Sequence, residues 1–473
     1  MKKNEANLGD PIPLADAPDE TLRHFVETAH AVDLAAWLAG LPRDLAKGEI
    51  LALPLPRRAK TFSYLPFDVQ AKLVGQLTRG DLAEIVTQMD ADDRADLFNH
   101  LTPEQQQRLL RDLAREERED IRRLSAYAEG TAGAVMTSDY ATLSARMSAR
   151  EAIELLRREA PEKETIYRSY ILDADRRLIG SIRLHELILA AADTRIEEIM
   201  DPAPVSVTLD MNQEEVARMI AHYDLLALPV IDEDGRLIGI ITHDDAADVM
   251  QRETTEDFQK IATVLPFSQS MREAGMGVLY TKRIFWLALL VFGNLFSGAG
   301  IAFFEDMILA YVALVFFLPL LIDSGGNAGS QSATLMVRAL ATGDVALKDW
   351  RELILRELMI ALALGATMAL IVSPIGVLRG GSDIALVVGL TMVLVVIIGS
   401  LVGMSLPFLL SRVRLDPATA SAPLVTTISD AVGVLVYFSI ATIVLEPLIQ
   451  AIPPLGPCDK SKHHRPRSAA PAG

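Results

Sequence analysis

The chain has 473 residues with a formal net charge of −17, and 23% of its residues are charged although its mean hydropathy is +0.26. This acidity argues against nucleic acid as a partner, because phosphate groups are bound through Lys and Arg, whereas it suits divalent cations. The single cysteine, Cys458, excludes an intrachain disulfide and a thiolate metal site. Charged residues dominate up to about residue 271 and long apolar runs occupy 284–448, so the sequence predicts a soluble half followed by a membrane half.

The first segment, residues 1–20, is rich in Pro and Asp and has no apolar signal core. It predicts a disordered N-terminus that stays in the cytosol. Residues 21–128 carry Leu at helical spacing between Pro and Gly breakers, without the alternation that is typical of strands. This pattern predicts a small superhelix of stacked helices, and its second half is acidic.

An internal repeat occupies residues 129–252. The sequence DADRRLIG at 173–180 recurs as DEDGRLIG at 232–239. A Met lies upstream of each copy, at 136 and 200. Around each copy the pattern predicts an amphipathic helix and a strand on either side of the motif. This α/β organisation resembles a tandem pair of CBS domains, which are regulatory modules that often bind adenine nucleotides. The predicted elements are helices over 149–159 and 213–222, and strands over 169–172, 178–182, 228–231 and 237–241.

The resemblance to CBS domains makes ATP a possible cofactor. His185 and Glu186 follow the first copy of the motif, where nucleotide-binding members tend to carry Arg-Asp. An Arg at that place would pair with phosphate, so its replacement argues against ATP binding here.

The remaining chain predicts a long connecting helix over 253–282, which Pro266 interrupts, and then a transmembrane domain over 283–450. Each apolar run exceeds the roughly 20 residues that cross a bilayer. The fold class is therefore multidomain and mainly α, and residues 451–473 form a polar tail. The five predicted spans are 283–304, 308–337, 352–377, 384–410 and 418–449.

The distribution of Lys and Arg predicts the orientation of these spans. Lys282 and Arg283 precede the first span, and basic residues also lie between spans two and three and between spans four and five. Cytosolic loops carry such an excess of positive charge. The chain is therefore expected in the inner (plasma) membrane, with its N-terminal domains in the cytosol and its C-terminus outside.

Asp430 lies in the fifth span, about 12 residues from its start and thus near mid-membrane. A charged side chain at that depth costs about 2.5–3.5 kcal/mol, and the span contains no Lys or Arg to neutralise it. A permeating cation is the expected partner. The alternative is a protonated or hydrogen-bonded Asp that packs the helix bundle.

The second span contains a segment of small and polar residues that includes Asp323 and Asn327. Their oxygens could line a pore, or the small residues could serve close helix packing, as is also expected of Gly399 and Gly403. Pro423, in the fifth span, is expected to leave a carbonyl without its helical donor, which is tolerated beside a watery path.

Four motifs carry a resemblance to the MgtE family of magnesium channels: GGNAGSQSATL at 325–335, RALATG at 338–343, LDPA at 415–418 and PLVTTISD at 423–430. The order of the predicted domains agrees. The resemblance implies a homodimer in the lipid bilayer with one pore, lined by spans two and five, in which Asp430 holds hydrated Mg²⁺. Mg²⁺ prefers oxygen ligands and sheds water reluctantly, which suits such a site. The candidate pore residues are Asp430, Asn327, Asp323, Thr426 and Pro423.

The acidic cytosolic surface suggests a second role for divalent cations. Apposed acidic surfaces repel each other unless Mg²⁺ binds between them, so high cytosolic Mg²⁺ would compact these domains and close the pore. For each acid the alternative is a solvated surface charge. The resemblance implies that Asp416 faces the connecting helix. The candidate regulatory ligands are Asp90, Asp93, Asp96, Asp224, Asp245, Asp248, Glu253, Glu256 and Asp416.

Two other functions remain open at this point. One is a proton- or Na⁺-coupled transporter of Mg²⁺ or Co²⁺ that uses Asp430. The other is a membrane receptor whose repeat senses a nucleotide and which carries no ion flux. An enzyme is not expected, because the sequence offers no nucleophile–base pair and no Gly-rich loop that would cradle phosphate.

Overall fold

A computed structural model describes residues 19–267, 274–419 and 422–450. The chain divides into two compact units, residues 1–253 and 254–473. Most of the predicted disordered N-terminus, and the whole polar tail with Cys458, lie outside the described residues. Asp19 and Glu20 are described and begin the first helix.

The first unit begins with nine short helices that enclose a common apolar core. Pro or Thr precedes several of them, and Thr102 forms a capping box with Gln105. Alternate helices stack, as α4 does on α2 and α6 does on α4, which confirms the predicted superhelix. The helices are α1 (Asp19–Thr28), α2 (Ala31–Ala39), α3 (Arg43–Ala52), α4 (Leu55–Ser63), α5 (Phe67–Gln76), α6 (Arg79–Thr87), α7 (Ala91–His100), α8 (Pro103–Leu110) and α9 (Arg115–Leu124).

The internal repeat folds as two three-stranded sheets of identical topology, which confirms the predicted α/β pair. In each sheet the first strand runs parallel to the second, and the third runs antiparallel to it. The strands are β1 (Tyr140–Leu143), β2 (Thr165–Leu172), β3 (Leu178–Arg183), β4 (Val207–Thr208), β5 (Ala227–Ile231) and β6 (Leu237–Thr242). The helices are α10 (Ala149–Glu159), α11 (Leu184–Leu189), α12 (Ile196–Ile199) and α13 (Gln213–His222), with 3₁₀ turns at Ala132–Ala134 and Ala160–Glu162.

The repeated glycine of the motif is explained by contacts between the two copies. A Cβ on Gly239 would lie 2.6 Å from the sulfur of Met136, and one on Gly180 would lie 2.7 Å from the sulfur of Met200. Each upstream Met therefore packs against the glycine of the other copy. Close approach of this kind leaves no room for a side chain.

The predicted long connecting helix is wrong at both ends. Helix α14 (His243–Ile261) begins ten residues earlier and ends before Pro266, and residues 268–273 lie outside the described part of the chain. Pro266 has no N–H to donate and disfavours helix in the residue before it. Gln259 fixes the end, because its side-chain oxygen accepts the Phe267 amide at 2.9 Å.

The second unit contains four helices that are long and apolar enough to cross a membrane, among the residues described. The third of them has 63 residues, which would extend on the order of 95 Å if it were straight. The helices of this unit are α15 (Met276–Phe303), α16 (Glu305–Ala310), α17 (Ala313–Ala341), α18 (Trp350–Arg412) and α19 (Ala422–Gln450). A 3₁₀ turn precedes α18 at Leu347–Asp349, and another follows it at Pro417–Thr419.

Helix α18 is in fact two antiparallel arms that meet at Gly381. This glycine has φ 83, in the left-handed region that breaks a helix. An added Cβ on Gly376 would lie 2.7 Å from the Cα of Ala385, and one on Gly365 would lie 2.9 Å from the Cα of Val393. The arms therefore lie side by side, and each is long enough for one span. The predicted five-span domain is confirmed in this form.

Candidate ion pathway and regulatory acids

One face of α17 consists of glycines that contact α18 directly. A Cβ on Gly329 would lie 2.6 Å from the carbonyl oxygen of Gly399 and 2.8 Å from a methyl of Val425. Gly325 faces Gly399 and Gly403 faces Gly329 in the same way. The helix-packing interpretation of these glycines is thus confirmed, because small residues let backbones approach closely where no hydrophobic force drives association.

Replacing Gly329 with Ala should therefore destabilise the membrane unit, since the methyl group would overlap backbone atoms of α18. Such overpacking costs about 1–3 kcal/mol. Thermal unfolding in detergent should begin several degrees lower than in the wild type. Gly298→Ala on α15 is the control, because nothing lies within 4 Å of the added methyl group there; equal melting of the two variants would contradict the packing interpretation.

A second face of α17 is polar and exposed in the single chain. Asp323, Asn327 and Gln331 follow one another at a spacing of four residues, and all three are exposed. Residues so spaced lie on one side of a helix. Gln331 was not among the predicted pore residues, although its helical spacing from Asn327 is visible in the sequence.

Asp430 of α19 lies beside this polar face. Its side chain is half-buried, and its carboxylate is close enough to that of Asp323 for the two charges to repel each other. Gly326 sets this alignment, because a Cβ there would lie 3.0 Å from a methyl group of Thr426. Asp430 is the ninth residue of the described helix α19 and lies about 12 Å from its first residue; its depth in the membrane stays a prediction.

The expectation that Pro423 leaves a carbonyl without its donor stays a prediction. Pro423 is the second residue of the described helix α19, and residues 420–421 before it lie outside the described part of the chain. Its own carbonyl accepts the hydroxyls of Thr426 and Thr427, both at 2.9 Å. Thr426 therefore donates to its own turn, and only its acceptor capacity remains for an ion or its water.

In the first unit, Asp92, Glu164 and Asp245 form an acidic cluster. One carboxylate oxygen each of Asp92 and Glu164 is buried without a hydrogen-bond partner in the described structure. Burial raises the pKa of Glu164 to about 8, and the charge of Asp245 adds to the shift. Burial likewise raises the pKa of Asp245 to about 6 and raises the pKa of Asp92 well above its ordinary value.

This cluster suits a hard cation, because buried, unsatisfied carboxylate oxygens are the ligands that Mg²⁺ prefers. Within the described ranges, however, no three acidic, His or Cys side chains converge closely enough to hold one ion directly. Asp92 and Glu164 were not predicted as ligands, and only Asp245 was.

The other predicted ligands on α7 have separate surroundings. Asp90 accepts a bond of 2.9 Å from Lys60. Burial raises the pKa of Asp93 to about 6, and a bond from Ser63 opposes that shift. Burial also raises the pKa of Asp96, against the charge of Arg252.

The remaining predicted ligands do not gather at one place. Glu253 accepts a bond of 2.7 Å from Gln213, whereas Asp224 and Asp248 are exposed.

In the CBS pair, Glu186 accepts hydrogen bonds from the Arg183 guanidinium at 2.6 and 3.0 Å. The basic group that lies next to the repeated motif is therefore already paired with a carboxylate.

Glu256 and Asp416 share one partner, and it is a lysine. The ammonium of Lys260 lies 2.6 Å from Glu256 Oε1 and also donates to Asp416 Oδ2. The expectation that Asp416 faces the connecting helix agrees with this geometry. The pair does not fit a regulatory Mg²⁺, because a positive group already lies between the two carboxylates.

Family models match most of the chain. The divalent cation transporter model MgtE matches residues 318–440, and the MgtE intracellular N domain model matches residues 29–130. The CBS domain model matches twice, at 132–193 and 196–252.

Two curated relatives are similar over about two thirds of the chain. The magnesium transporter MgtE of Thermus thermophilus is 43% identical over 329 residues, which are 70% of this chain and 73% of the relative. The magnesium transporter MgtE of Bacillus subtilis is 33% identical over 326 residues, or 68% of this chain and 71% of the relative.

Among solved structures, the cytosolic domain of the Mg²⁺ channel MgtE in complex with ATP is 38% identical, with a TM-score of 0.47. It covers 49% of this chain and 95% of its own. The soluble part of a magnesium transporter is 31% identical over 50% of this chain and 92% of its own, with a TM-score of 0.46.

Proposed function

Because the chain belongs to the MgtE family of divalent cation transporters, we propose that it is a homodimeric Mg²⁺ channel of the plasma membrane that cytosolic Mg²⁺ closes. Membership of the family makes the chain a membrane protein that transports Mg²⁺ and whose N-terminal domains are intracellular. The channel mechanism, the dimer and the closure by Mg²⁺ are the proposal.

The observation that carries the proposal is the placement of Asp430 beside Asp323. Two carboxylates repel each other strongly where water is scarce, so the pair calls for a positive partner. Helix α19 contains no Lys or Arg that could supply it. A divalent cation with part of its water shell would neutralise both carboxylates and pass between them, while Asn327 and Thr426 offer oxygens to the shell.

The exposed polar face of α17 supports a dimer. Asp323, Asn327 and Gln331 would face lipid in a single chain, which is costly for polar groups. A second copy that placed the same face opposite would enclose a watery path and supply a second Asp430. Residues from both subunits then form the ion site, and one chain holds half of it.

The acidic cluster of Asp92, Glu164 and Asp245 supports regulation by Mg²⁺. When ionised, the three groups repel one another across α7, the segment before β2 and α14. Bound Mg²⁺ would remove that repulsion and hold the cytosolic elements together. Movement of α14 is then available to close the pore.

Flux through the full-length protein in liposomes tests the function. We expect Mg²⁺ flux that is independent of a proton or Na⁺ gradient, appears as single-channel current and falls when Mg²⁺ is added on the cytosolic side. Flux that follows the proton or Na⁺ gradient would establish a coupled transporter instead. Absence of flux for every divalent cation would favour the receptor.

A further inference from the structure

The last turn of α14 contacts α17 and the turn that precedes α19, and α17 and α19 are the two helices that line the proposed pore. Lys260 donates to Asp416, which lies in the loop that leads to α19. The next residue, Ile261, packs in an apolar cluster with Val337 of α17, Ala418, Leu406 and Leu410. Two consecutive residues thus attach one helix to α17, to the end of α18 and to the turn that precedes α19.

The loop that receives Lys260 is itself rigid. Asp416 uses its second carboxylate oxygen to accept the amide of Ala418 at 2.8 Å, and its carbonyl accepts the hydroxyl of Thr419. A force on the Asp416 side chain is therefore passed to the 3₁₀ turn that precedes α19. Only two residues, 420 and 421, separate this turn from the described start of that helix.

The lysine and the apolar residues of the contact are shielded from water, whereas the carboxylates of Asp416 and Glu256 remain 36% and 42% exposed. The side chain of Lys260 is 18% exposed, and Val337 and Ala418 are 3% and 1% exposed. Ion pairs at exposed surfaces contribute little to stability, whereas shielded and doubly bonded pairs are costly to break. Glu256, one turn earlier on α14, holds the ammonium from the other side and prevents it from swinging away.

We propose that Lys260 and Ile261 form a metal-independent latch that couples α14 to the two pore-lining helices. The ammonium replaces a regulatory Mg²⁺ between Glu256 and Asp416, so this contact holds at every Mg²⁺ concentration. Sensing of Mg²⁺ is then left to the acidic cluster in the first unit, and the latch transmits the resulting movement of α14 to the pore. The effect of the latch on transport rests on the proposed function, whereas the contacts that form the latch do not depend on it.

Hydrogen exchange of the full-length protein in detergent tests the latch. In the wild type, the amides of the last turn of α14 and of residues 416–419 should be protected equally in EDTA and in Mg²⁺. Lys260→Met should speed their exchange in EDTA by at least about tenfold, the effect of roughly 1.4 kcal/mol. Because the variant leaves Glu256 and Asp416 without a counter-ion, added Mg²⁺ should then restore protection.

Two further variants serve as the rescue and as the control of this experiment. The conservative variant Lys260→Arg should keep most of the protection, since its guanidinium remains positive between Glu256 and Asp416. Lys348→Met, on an exposed residue, should exchange like the wild type. Protection in the wild type that appears only with Mg²⁺, or a Lys260→Met variant with unchanged exchange, would overturn the latch.

Flux measurements separate this inference from the proposed function. If the wild type shows the expected protection, Lys260→Met should still conduct Mg²⁺, but the cytosolic Mg²⁺ concentration that half-closes it should be several-fold higher. A wild type that shows the exchange pattern without any flux would refute the proposed channel and leave the latch standing. A wild type that conducts while Lys260→Met closes normally would refute the coupling.

Discussion

Replacing Asp430 with Ala should lower Mg²⁺ flux through the reconstituted protein by at least about tenfold, since each tenfold loss corresponds to about 1.4 kcal/mol of barrier. The side chain is half-buried beside Asp323 and has no basic partner on its own helix. Without it the dication would lose the negative charge that offsets its partial dehydration. Flux into liposomes, followed with a Mg²⁺-sensitive dye, gives the measurement.

Asp430→Asn refines this result, because the amide keeps the size and oxygen of the carboxylate and removes only its charge. We expect it to conduct little better than the alanine variant. Asp383→Asn is the matched control, since this exposed aspartate lies beside the Gly381 break and is not among the proposed pore residues. Normal flux through Asp430→Asn, with the protein still folded, would mean that the carboxylate packs the bundle and binds no permeating ion.

Regular patterns were the part of the fold that could be predicted from the sequence. The repeat presents each element of the CBS pair twice, so the boundaries of α10 and α13 are the predicted ones. The thickness of the bilayer sets the length of a span, so five apolar runs can be recognised in the sequence, including the two antiparallel arms of α18 that meet at Gly381. The packing of α17 through its glycines could be predicted from composition, because small residues in an apolar span favour close helix contacts.

Contacts between distant residues could not be predicted. Asp92 is one of several acids at the start of α7, and nothing in its sequence neighbourhood distinguishes it from Asp93. Its burial against Glu164 and Asp245 arises only when α7 packs against the CBS pair. In the same way, the acids Glu256 and Asp416 were recognised by resemblance, but their lysine counter-ion appears only in the folded chain.

Mg²⁺ should protect α7 from hydrogen exchange far more at pH 8 than at pH 6. Burial and like charges hold the pKa of Glu164 at about 8 and that of Asp245 at about 6, above the ordinary values of 4.5 and 3.8. The folded state therefore binds more protons than the unfolded state between about pH 4 and pH 8. Stability must fall as the pH rises through that window, because the native cluster loses its protons and its charges repel one another.

The ion and the protons compete for the same oxygens, which fixes the sign of their linkage. At pH 6 the cluster is partly neutralised by protons and gains little from Mg²⁺, whereas at pH 8 the metal removes repulsion on the order of 2 kcal/mol. Exchange in α7, expressed as protection relative to the unfolded chain at each pH, should therefore slow by about tenfold or more with Mg²⁺ at pH 8. Equal effects at the two pH values would exclude the cluster as the site of binding.

Glu164→Gln should reproduce the effect of the metal without the metal. The amide keeps the shape of the side chain and removes one of the repelling charges, so protection of α7 at pH 8 in EDTA should rise towards the Mg²⁺-bound level of the wild type. The additional protection by Mg²⁺ should shrink accordingly, because one ligand is gone. Glu154→Gln, on an exposed residue of α10, should leave both quantities unchanged. If Glu164→Gln instead made the amides of α7 exchange faster, the Glu164 carboxylate would stabilise the fold as a hydrogen-bond acceptor. Repulsion from Asp92 and Asp245 would then not be the dominant effect.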